Sequence, residues 1–203
     1  MVKNIFILLL SSGLFVLLSC TNSPAVKQLE SKADVSTITH QPAVKSQIDI
    51  PLNRKTVLSG KATMLIPEEF VLMNAEMLAS KYSKTGHQPT EVYTNEEGTI
   101  NIALNYTQNK AEEKDLQGLK TTMERQFKQP TIEFIQSSLQ EINGRKYISM
   151  EFITPAADSR IYNLIQITSL EGRLAMFTFN CTENYRKDWQ ITGKEIMQSI
   201  EMK

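Results

Sequence analysis

The stretch that decides the fold is residues 131–182, TIEFIQSSLQEINGRKYISMEFITPAADSRIYNLIQITSLEGRLAMFTFNCT. It contains four extended runs, at 131–142, 145–154, 160–170 and 173–182. Asn143-Gly144 joins the first two runs, and Glu171-Gly172 joins the last two. Gly, and Asn before it, adopts the positive φ angles that a tight hairpin turn requires. Both junctions therefore predict antiparallel hairpins, which together form a meander.

Apolar side chains occur on both faces of these runs. In the last run, Leu174 and Met176 point to one face, whereas Phe177 and Phe179 point to the other. A sheet that is apolar on both faces must be covered on both faces. The sequence therefore predicts an α+β fold with a central antiparallel sheet, a meander, covered by helices on both faces.

Three segments show the 3.6-residue spacing of helices that provide this cover. The first runs from Asn74 to Tyr82, with Met77, Leu78 and Tyr82 expected on one face. The second spans 112–128, and the third spans 184–200 and carries the only tryptophan, Trp189. The buried faces predicted for the two longer helices are Leu116, Leu119, Met123 and Phe127, and then Tyr185, Trp189, Thr192, Ile196 and Ile200. Each set repeats at intervals of three or four residues, as an amphipathic helix requires.

The amino terminus has the organisation of a secretory signal. Lys3 precedes an apolar run at 5–18, which is shorter than the roughly 20 residues that a membrane-spanning helix needs. The next residues, Leu17-Leu18-Ser19-Cys20, resemble the lipobox of bacterial lipoproteins. The resemblance implies cleavage before Cys20, diacylglycerol on its thiol and acylation of the new amino group. An ordinary signal peptide with a chance cysteine and an uncleaved anchor helix are the alternatives.

The segment that follows predicts a flexible tether. Residues 20–53 are rich in Ser, Thr, Asn, Gln and Pro and show no sustained apolar period, so they cannot bury a core. We therefore divide the chain into a signal peptide at 1–19, a lipidated tether at 20–53 and a globular domain at 54–203. Several acyl chains on Cys20 would anchor the protein stably. Thr21 after the cysteine favours the outer membrane, with the domain facing the periplasm.

The order of elements within 54–203 resembles a known family. A hairpin is followed by a proline, a short helix ending Lys81-Tyr82, a second hairpin, a long helix, the meander and a final helix that bears Trp189. This order resembles the PsbP-like superfamily, in particular its DcrB-like bacterial members. The resemblance implies an α+β binding or adaptor domain without a shared catalytic chemistry, and no functional residue of the family transfers to this chain.

Charge and composition exclude several function classes. The chain has 22 basic and 22 acidic residues, which argues against nucleic-acid binding through a basic surface. The predicted domain has one histidine, His87, and one cysteine, Cys181, too few for a zinc site, and it carries no nucleotide or metal motif. We expect no cofactor and no metal. Each of the three candidate catalytic residues also has a non-functional interpretation. His87 would be solvated, Cys181 would be buried in the core, and Glu151 would pair with an Arg or Lys across the sheet.

The leading hypothesis is a non-enzymatic envelope lipoprotein that binds the membrane through Cys20 and another envelope protein or a small ligand through its domain. We expect loops rather than the core to form the binding surface, with Lys81, Tyr82, Lys84 and His87 as candidates; a solvated connection is the alternative interpretation of that loop. The alternative function is an enzyme with an unrecognised site that uses Glu151, His87 or Cys181. A purely structural role is the third hypothesis.

Overall fold

The computed structural model describes residues 50–82 and 88–203. The predicted signal peptide at 1–19, Cys20, most of the predicted tether, Lys84 and His87 lie outside the described residues. The strands are β1 (Leu52–Val57), β2 (Ala62–Pro67), β3 (Val71–Leu72), β4 (Glu91–Thr94), β5 (Ile100–Lys110), β6 (Glu133–Ile142), β7 (Arg145–Pro155), β8 (Arg160–Leu170), β9 (Arg173–Thr182) and β10 (Glu201–Met202). The helices are α1 (Ala75–Lys81), α2 (Leu116–Phe127) and α3 (Arg186–Gln198), and short 3₁₀ turns precede α2 and α3.

The four runs predicted from 131–182 are strands β6 to β9, and each pairs antiparallel with the next. They belong to a seven-stranded sheet whose order is β3-β4-β5-β9-β8-β7-β6. Both predicted turns adopt left-handed backbone angles, with φ of 48° at Asn143 and 76° at Gly144, and 51° at Glu171 and 73° at Gly172. The two predicted hairpins are confirmed, because β6 pairs with β7 and β8 pairs with β9, and the turn residues have the positive φ angles that tight hairpin turns require.

A second sheet has three strands in the order β1-β2-β10. Its β1-β2 pair is the hairpin expected at the start of the domain, whereas the pairing with β10 was not predicted. The third strand, β10, has only two residues and follows α3, and its Met202 pairs with Ala62 of β2, near the beginning of the domain. Strand β1 begins at Leu52, and Ile50 and Leu52 pack against the core. Strand β1 therefore begins two residues before the expected boundary at 54, because Leu52 pairs with Pro67.

The two faces of the large sheet are covered differently. Helix α2 packs on one face, where its four predicted apolar residues join strand residues in a single cluster: Leu116, Leu119, Met123, Phe127, Ile148, Met150, Phe152, Ile165 and Ile167. Helix α3 and the small sheet together cover the other face. Trp189 lies there at 7% exposure, with its ring centre 5.6 Å from that of Phe70 and 6.4 Å from that of Phe179.

The short helix α1 begins at Asn74, whose side chain accepts a hydrogen bond from the Met77 amide at 2.9 Å, as an N-cap residue should. Leu78 and Tyr82 pack against a small cluster that contains Met73 and Val92. The expectation that Met77 shares their face is wrong, since its side chain is 38% exposed. Leu78 and Tyr82, four residues apart, define the buried side, and Met77 is rotated away from it.

Across residues 50–82 and 88–203, no helix has the length and apolar character needed to cross a bilayer.

Candidate ligand cleft

The face of the large sheet that carries α2 also contains a cavity of about 320 Å³. Helix α2 covers the part of this face nearest β6 and β7, and the end of α1 borders the opposite side. Between them, parts of β5, β9 and β8 form the floor, and the turn between β7 and β8 closes one end. The volume lies at the lower end of the roughly 300–1,000 Å³ typical of small-molecule sites.

The floor of this cleft is polar, which is unusual for the middle strands of a sheet. Asn101, Asn180 and Asn163 lie directly opposite one another on β5, β9 and β8, because the register pairs Asn101 with Asn180 and Asn180 with Asn163. Directly opposed side chains have Cβ atoms about 5 Å apart. The other floor side chains with an amide or hydroxyl group are Asn105, Thr154, Thr178 and Thr182.

Asn101 holds this row together. Its side chain is 3% exposed. Its Oδ1 accepts hydrogen bonds from Thr94 Oγ1 at 2.8 Å and from Lys81 Nζ at 3.0 Å. Its Nδ2 donates to Asn180 Oδ1 at 3.0 Å. A buried amide with this many partners has a fixed orientation, so Asn101 also fixes the positions of Lys81 and Asn180.

Lys81 places a positive charge at the edge of the cleft. Its ammonium group donates to the carbonyl oxygen of Gly98 as well as to Asn101. Among the described residues no carboxylate lies within ion-pair distance of this nitrogen. Burial lowers the pKa of Lys81, because desolvation penalises the charged ammonium.

The hydrogen bonds within the floor leave specific atoms unused. Asn180 Oδ1 is occupied by Asn101, whereas its Nδ2 makes no hydrogen bond to any described residue. Asn163 has the reverse arrangement: its Nδ2 donates to the Ile161 carbonyl at 2.9 Å and to Thr154 Oγ1 at 3.3 Å, and its Oδ1 accepts from no described residue. The cleft thus presents a donor on Asn180 next to an acceptor on Asn163.

Apolar and aromatic side chains form the walls of the cleft. Tyr82 and Pro89 lie on the α1 side, and Phe152 and Ile161 lie on the side of β7 and β8. Burial raises the pKa of Tyr82 to about 12, so its phenol is neutral at physiological pH. Asp158, in the turn between β7 and β8, is the one carboxylate among the described residues that line the cleft.

The structure brings together only part of the predicted binding loop. Lys81 and Tyr82 line the cleft, whereas Lys84 and His87 lie outside the described residues. The cleft differs from the loop surface expected from the sequence, because strand side chains form its floor. The signal was present in the sequence as polar residues at alternate positions, Thr99, Asn101 and Asn105, then Thr178, Asn180 and Thr182.

Glu151 points to the opposite face of the sheet, under α3. It is 1% exposed and accepts hydrogen bonds from Tyr162 at 2.8 Å and Gln136 at 2.7 Å, with a further one from Gln190. The Lys194 ammonium lies 3.3 Å away. A lysine partner was expected, but it comes from α3 and not from a neighbouring strand. Burial acts to raise the pKa of Glu151, and the hydrogen bonds and Lys194 outweigh it, so the pKa is lowered.

Cys181 also lies on the α3 face and is fully buried, as expected for a small apolar side chain. Burial raises the pKa of its thiol to about 12, so the reactive thiolate is scarce at neutral pH. Within the described part of the chain, no group of three or more His, Cys, Asp or Glu side chains could hold a metal ion. Neither Glu151 nor Cys181 lines the cleft.

Comparison with known proteins identifies the fold. No protein-family model matches the chain, and no curated protein sequence matches it. Among solved structures, the chain is similar to cyanobacterial PsbP (CyanoP) from Synechocystis sp. PCC 6803, with a TM-score of 0.53, 13% identity, and coverage of 79% of this chain and 97% of that chain. It is also similar to LpqN of Mycobacterium tuberculosis, with a TM-score of 0.47, 10% identity, and coverage of 75% and 91%. A third similar structure is the Ran-binding protein Mog1p of Saccharomyces cerevisiae, with a TM-score of 0.44, 15% identity, and coverage of 76% and 96%. The domain therefore has the PsbP-like α+β fold that the order of its elements predicted.

Proposed function

We propose that this chain is a non-enzymatic binding protein of the bacterial cell envelope, anchored by lipid on Cys20 and holding its ligand in the cleft above Asn101, Asn163 and Asn180. The observation that carries the proposal is the cleft itself. A row of amide side chains across three central strands forgoes the apolar packing that stabilises the rest of this sheet face. A polar ligand that binds to these amides would compensate for the apolar packing that the row gives up.

The chemistry of the cleft supports binding over catalysis. Its described lining contains no cysteine or histidine, and Asp158 is its single carboxylate. General acid–base or nucleophilic catalysis needs two groups in hydrogen-bond reach of each other. Two of the three residues considered for an enzyme, Glu151 and Cys181, lie buried on the other face of the sheet.

The lipobox-like stretch that ends at Cys20 supports the envelope location, with the outer membrane proposed from Thr21. Mass spectrometry of the mature protein tests the anchor: we expect an amino-terminal Cys20 that carries three acyl chains. A Cys20→Ala variant should accumulate as an unlipidated precursor. An unmodified Cys20, or cleavage at another residue, would show that the anchor is wrong.

A matched pair of substitutions tests the cleft. Ala156 and Ala157 are neighbours in the turn between β7 and β8, and Ala156 lines the cleft whereas Ala157 does not. Tagged full-length protein would be isolated from envelopes, and its bound small molecules and proteins identified by native mass spectrometry. Ala156→Trp should fill the cleft mouth and lose the ligand, and Ala157→Trp should keep it. Equal retention by both variants, with melting temperatures unchanged, would refute the cleft as the binding site.

A further inference from the structure

The polar atoms left free in the cleft specify a class of ligand. Lys81, at the end of α1, is held against Asn101 of β5 and presents a charged donor. Asn180 on β9 presents a neutral donor, and Asn163 on β8 presents an acceptor. A hydroxyl group is both donor and acceptor, so one hydroxyl can accept from Asn180 Nδ2 and donate to Asn163 Oδ1. The floor threonines extend the same dual chemistry to further hydroxyls.

The walls add a second requirement. Tyr82 and Ile161 offer apolar surface beside the polar floor, which suits a ligand with a C–H face and a hydroxyl-bearing edge. A peptide fits less well. The cleft floor is the face of a sheet whose backbone groups are already paired in the ladders of β5, β9 and β8, so no strand can be added there.

The charge of Lys81 adds a third requirement. Lys81 is an exposed residue whose ammonium lies beside the cleft, and the described residues provide it with two carbonyl acceptors but no ion pair. Glu76 and Glu97 line a neighbouring cavity with Lys81 but form no ion pair with it. The ammonium is therefore available to an anionic ligand group, with which it would form a charge-assisted hydrogen bond. Asp158 lines the cleft and forms no ion pair with Lys81.

Resting on the function proposed above, we infer that the cleft binds a sugar ring that carries an acidic group, with the ring hydroxyls on Asn163 and Asn180 and the acidic group on Lys81. Asn101 is a positioning residue, because it holds both Lys81 and Asn180 without presenting a free atom of its own.

Three small probes separate these requirements. Glucuronate has both hydroxyls and a carboxylate, glucose replaces the carboxylate by a hydroxymethyl group, and cyclohexanecarboxylate keeps the carboxylate without hydroxyls. Each would be titrated into the full chain, held in a detergent without a sugar headgroup, while the side-chain amide signals of the asparagines are followed by NMR. Glucuronate should bind at least about tenfold more tightly than either other probe. Glucose lacks the carboxylate that would bond to the Lys81 ammonium, and cyclohexanecarboxylate lacks the hydroxyls that would bond to Asn163 and Asn180.

Substitutions then assign the contacts. Lys81→Gln should make glucuronate and glucose bind equally. Asn180→Asp keeps the oxygen that Asn101 needs but replaces the free donor by a negative acceptor, so it should weaken glucuronate by at least about tenfold. Lys187→Gln is the control, because Lys187 is an exposed lysine on α3 beyond the other face of the sheet. Its affinities should match those of the wild-type chain.

Each result bears on the inference. If glucuronate does not bind, or binds no more tightly than cyclohexanecarboxylate, the inference that the ligand is a sugar is wrong. If glucose binds as tightly as glucuronate, the inference that the ligand carries an acidic group is wrong. The proposed function fails separately: if glucuronate binds but Ala156→Trp retains every envelope partner, the cleft is not the physiological site. If Ala156→Trp loses its partner and no sugar binds, the ligand class alone is wrong.

Discussion

At the residue scale, Glu151 shows how this domain tolerates a carboxylate in the middle of a central strand. Three hydrogen bonds and the Lys194 ammonium replace the water that the buried side chain has lost. A buried charge that keeps its hydrogen bonds and a counter-ion is compatible with a stable core, whereas removal of the charge leaves its donors without acceptors. The sequence singles out Glu151 as a carboxylate between apolar residues of a strand, and its partners explain how the fold accommodates it.

Glu151→Gln should destabilise the domain by about 1–3 kcal/mol at neutral pH, because an amide cannot accept from all the donors around it. The effect should depend on pH. The pKa of Glu151 is lowered from its ordinary value of 4.5, so its ionisation stabilises the folded state above pH 4.5 and this stabilisation is lost as the pH falls through the lowered pKa. Urea titrations of both proteins from neutral pH to below pH 4 would measure the difference.

The control for this prediction is Glu141→Gln, at an exposed position on β6 without a hydrogen bond or ion pair to any described residue. It should change the free energy of unfolding by no more than about 0.5 kcal/mol. A stability difference between Glu151→Gln and wild type that stayed constant across the acidic range would contradict the ionised, paired state of Glu151.

At the element scale, the packing of α3 on the large sheet depends on one close approach. A Cβ atom at Gly193 would lie 2.6 Å from Cδ1 and 2.7 Å from Cε1 of the Phe179 ring. Phe179 is itself fully buried and lies beside Trp189. The helix can therefore lie this near to β9 only because residue 193 has no side chain.

Gly193→Ala should destabilise the domain by about 1–3 kcal/mol, because overpacking outweighs the gain in helix propensity. Gly118→Ala is a matched control in α2, where an added Cβ would meet no atom within 4 Å, and it should stabilise by up to about 1 kcal/mol. Urea denaturation of both variants measures the two signs. Equal effects of the two substitutions would contradict the close approach of α3.

Trp189 provides a second measurement on α3. Its predicted burial is confirmed, and Trp189→Ala should cost about 3–5 kcal/mol because it leaves a cavity between Phe70 and Phe179. Trp189→Phe, which keeps an aromatic ring, should cost less. The native protein should show blue-shifted tryptophan emission that external quenchers barely reach. A red-shifted, readily quenched emission would contradict the burial.

At the scale of the whole molecule, the amino-terminal edge of the domain is defined by β1. Arg54 donates to Thr63 Oγ1 at 3.2 Å and to the Ser199 carbonyl at 3.1 Å, and its guanidinium lies 3.4 Å from Glu201. These contacts join β1 to β2 and to the end of α3, so the small sheet holds the beginning and the end of the domain together.

Limited digestion of the full chain with trypsin should therefore cut the predicted tether at Lys27, Lys32 or Lys45, and spare Arg54 and Lys55. A protease cleaves a backbone that is accessible and free to enter its active site, and the backbone of β1 is held in its pairing with β2. The amino terminus of the resistant fragment, read by mass spectrometry, should lie at Ser46 or earlier. Rapid cleavage after Arg54 would show that β1 is not stably paired.

Local sequence signals determined the elements of this protein and the way that neighbouring elements pair. Asn143-Gly144 specifies its hairpin through its own backbone preferences, and the spacing of Leu116, Leu119, Met123 and Phe127 specifies the buried side of α2. These preferences act within a few residues, so they can be identified without knowledge of the rest of the chain. The covered sheet followed from apolar residues on both strand faces.

The tertiary structure alone decided the third strand of the small sheet and the cleft. Strand β10 has two residues, which are too few to show a strand pattern in the sequence. It forms only because these residues pair with the edge of β2. Asn101 and Asn180 are 79 residues apart, and nothing local states that β5 lies beside β9 with these two amides in register. The alternation of side chains along a strand places each asparagine on one face of its own strand. The pairing of distant strands, and the gap between α1 and α2, bring the asparagines together as a site. The sequence alone does not specify that pairing, because the register between distant strands is set by the packing of the whole sheet.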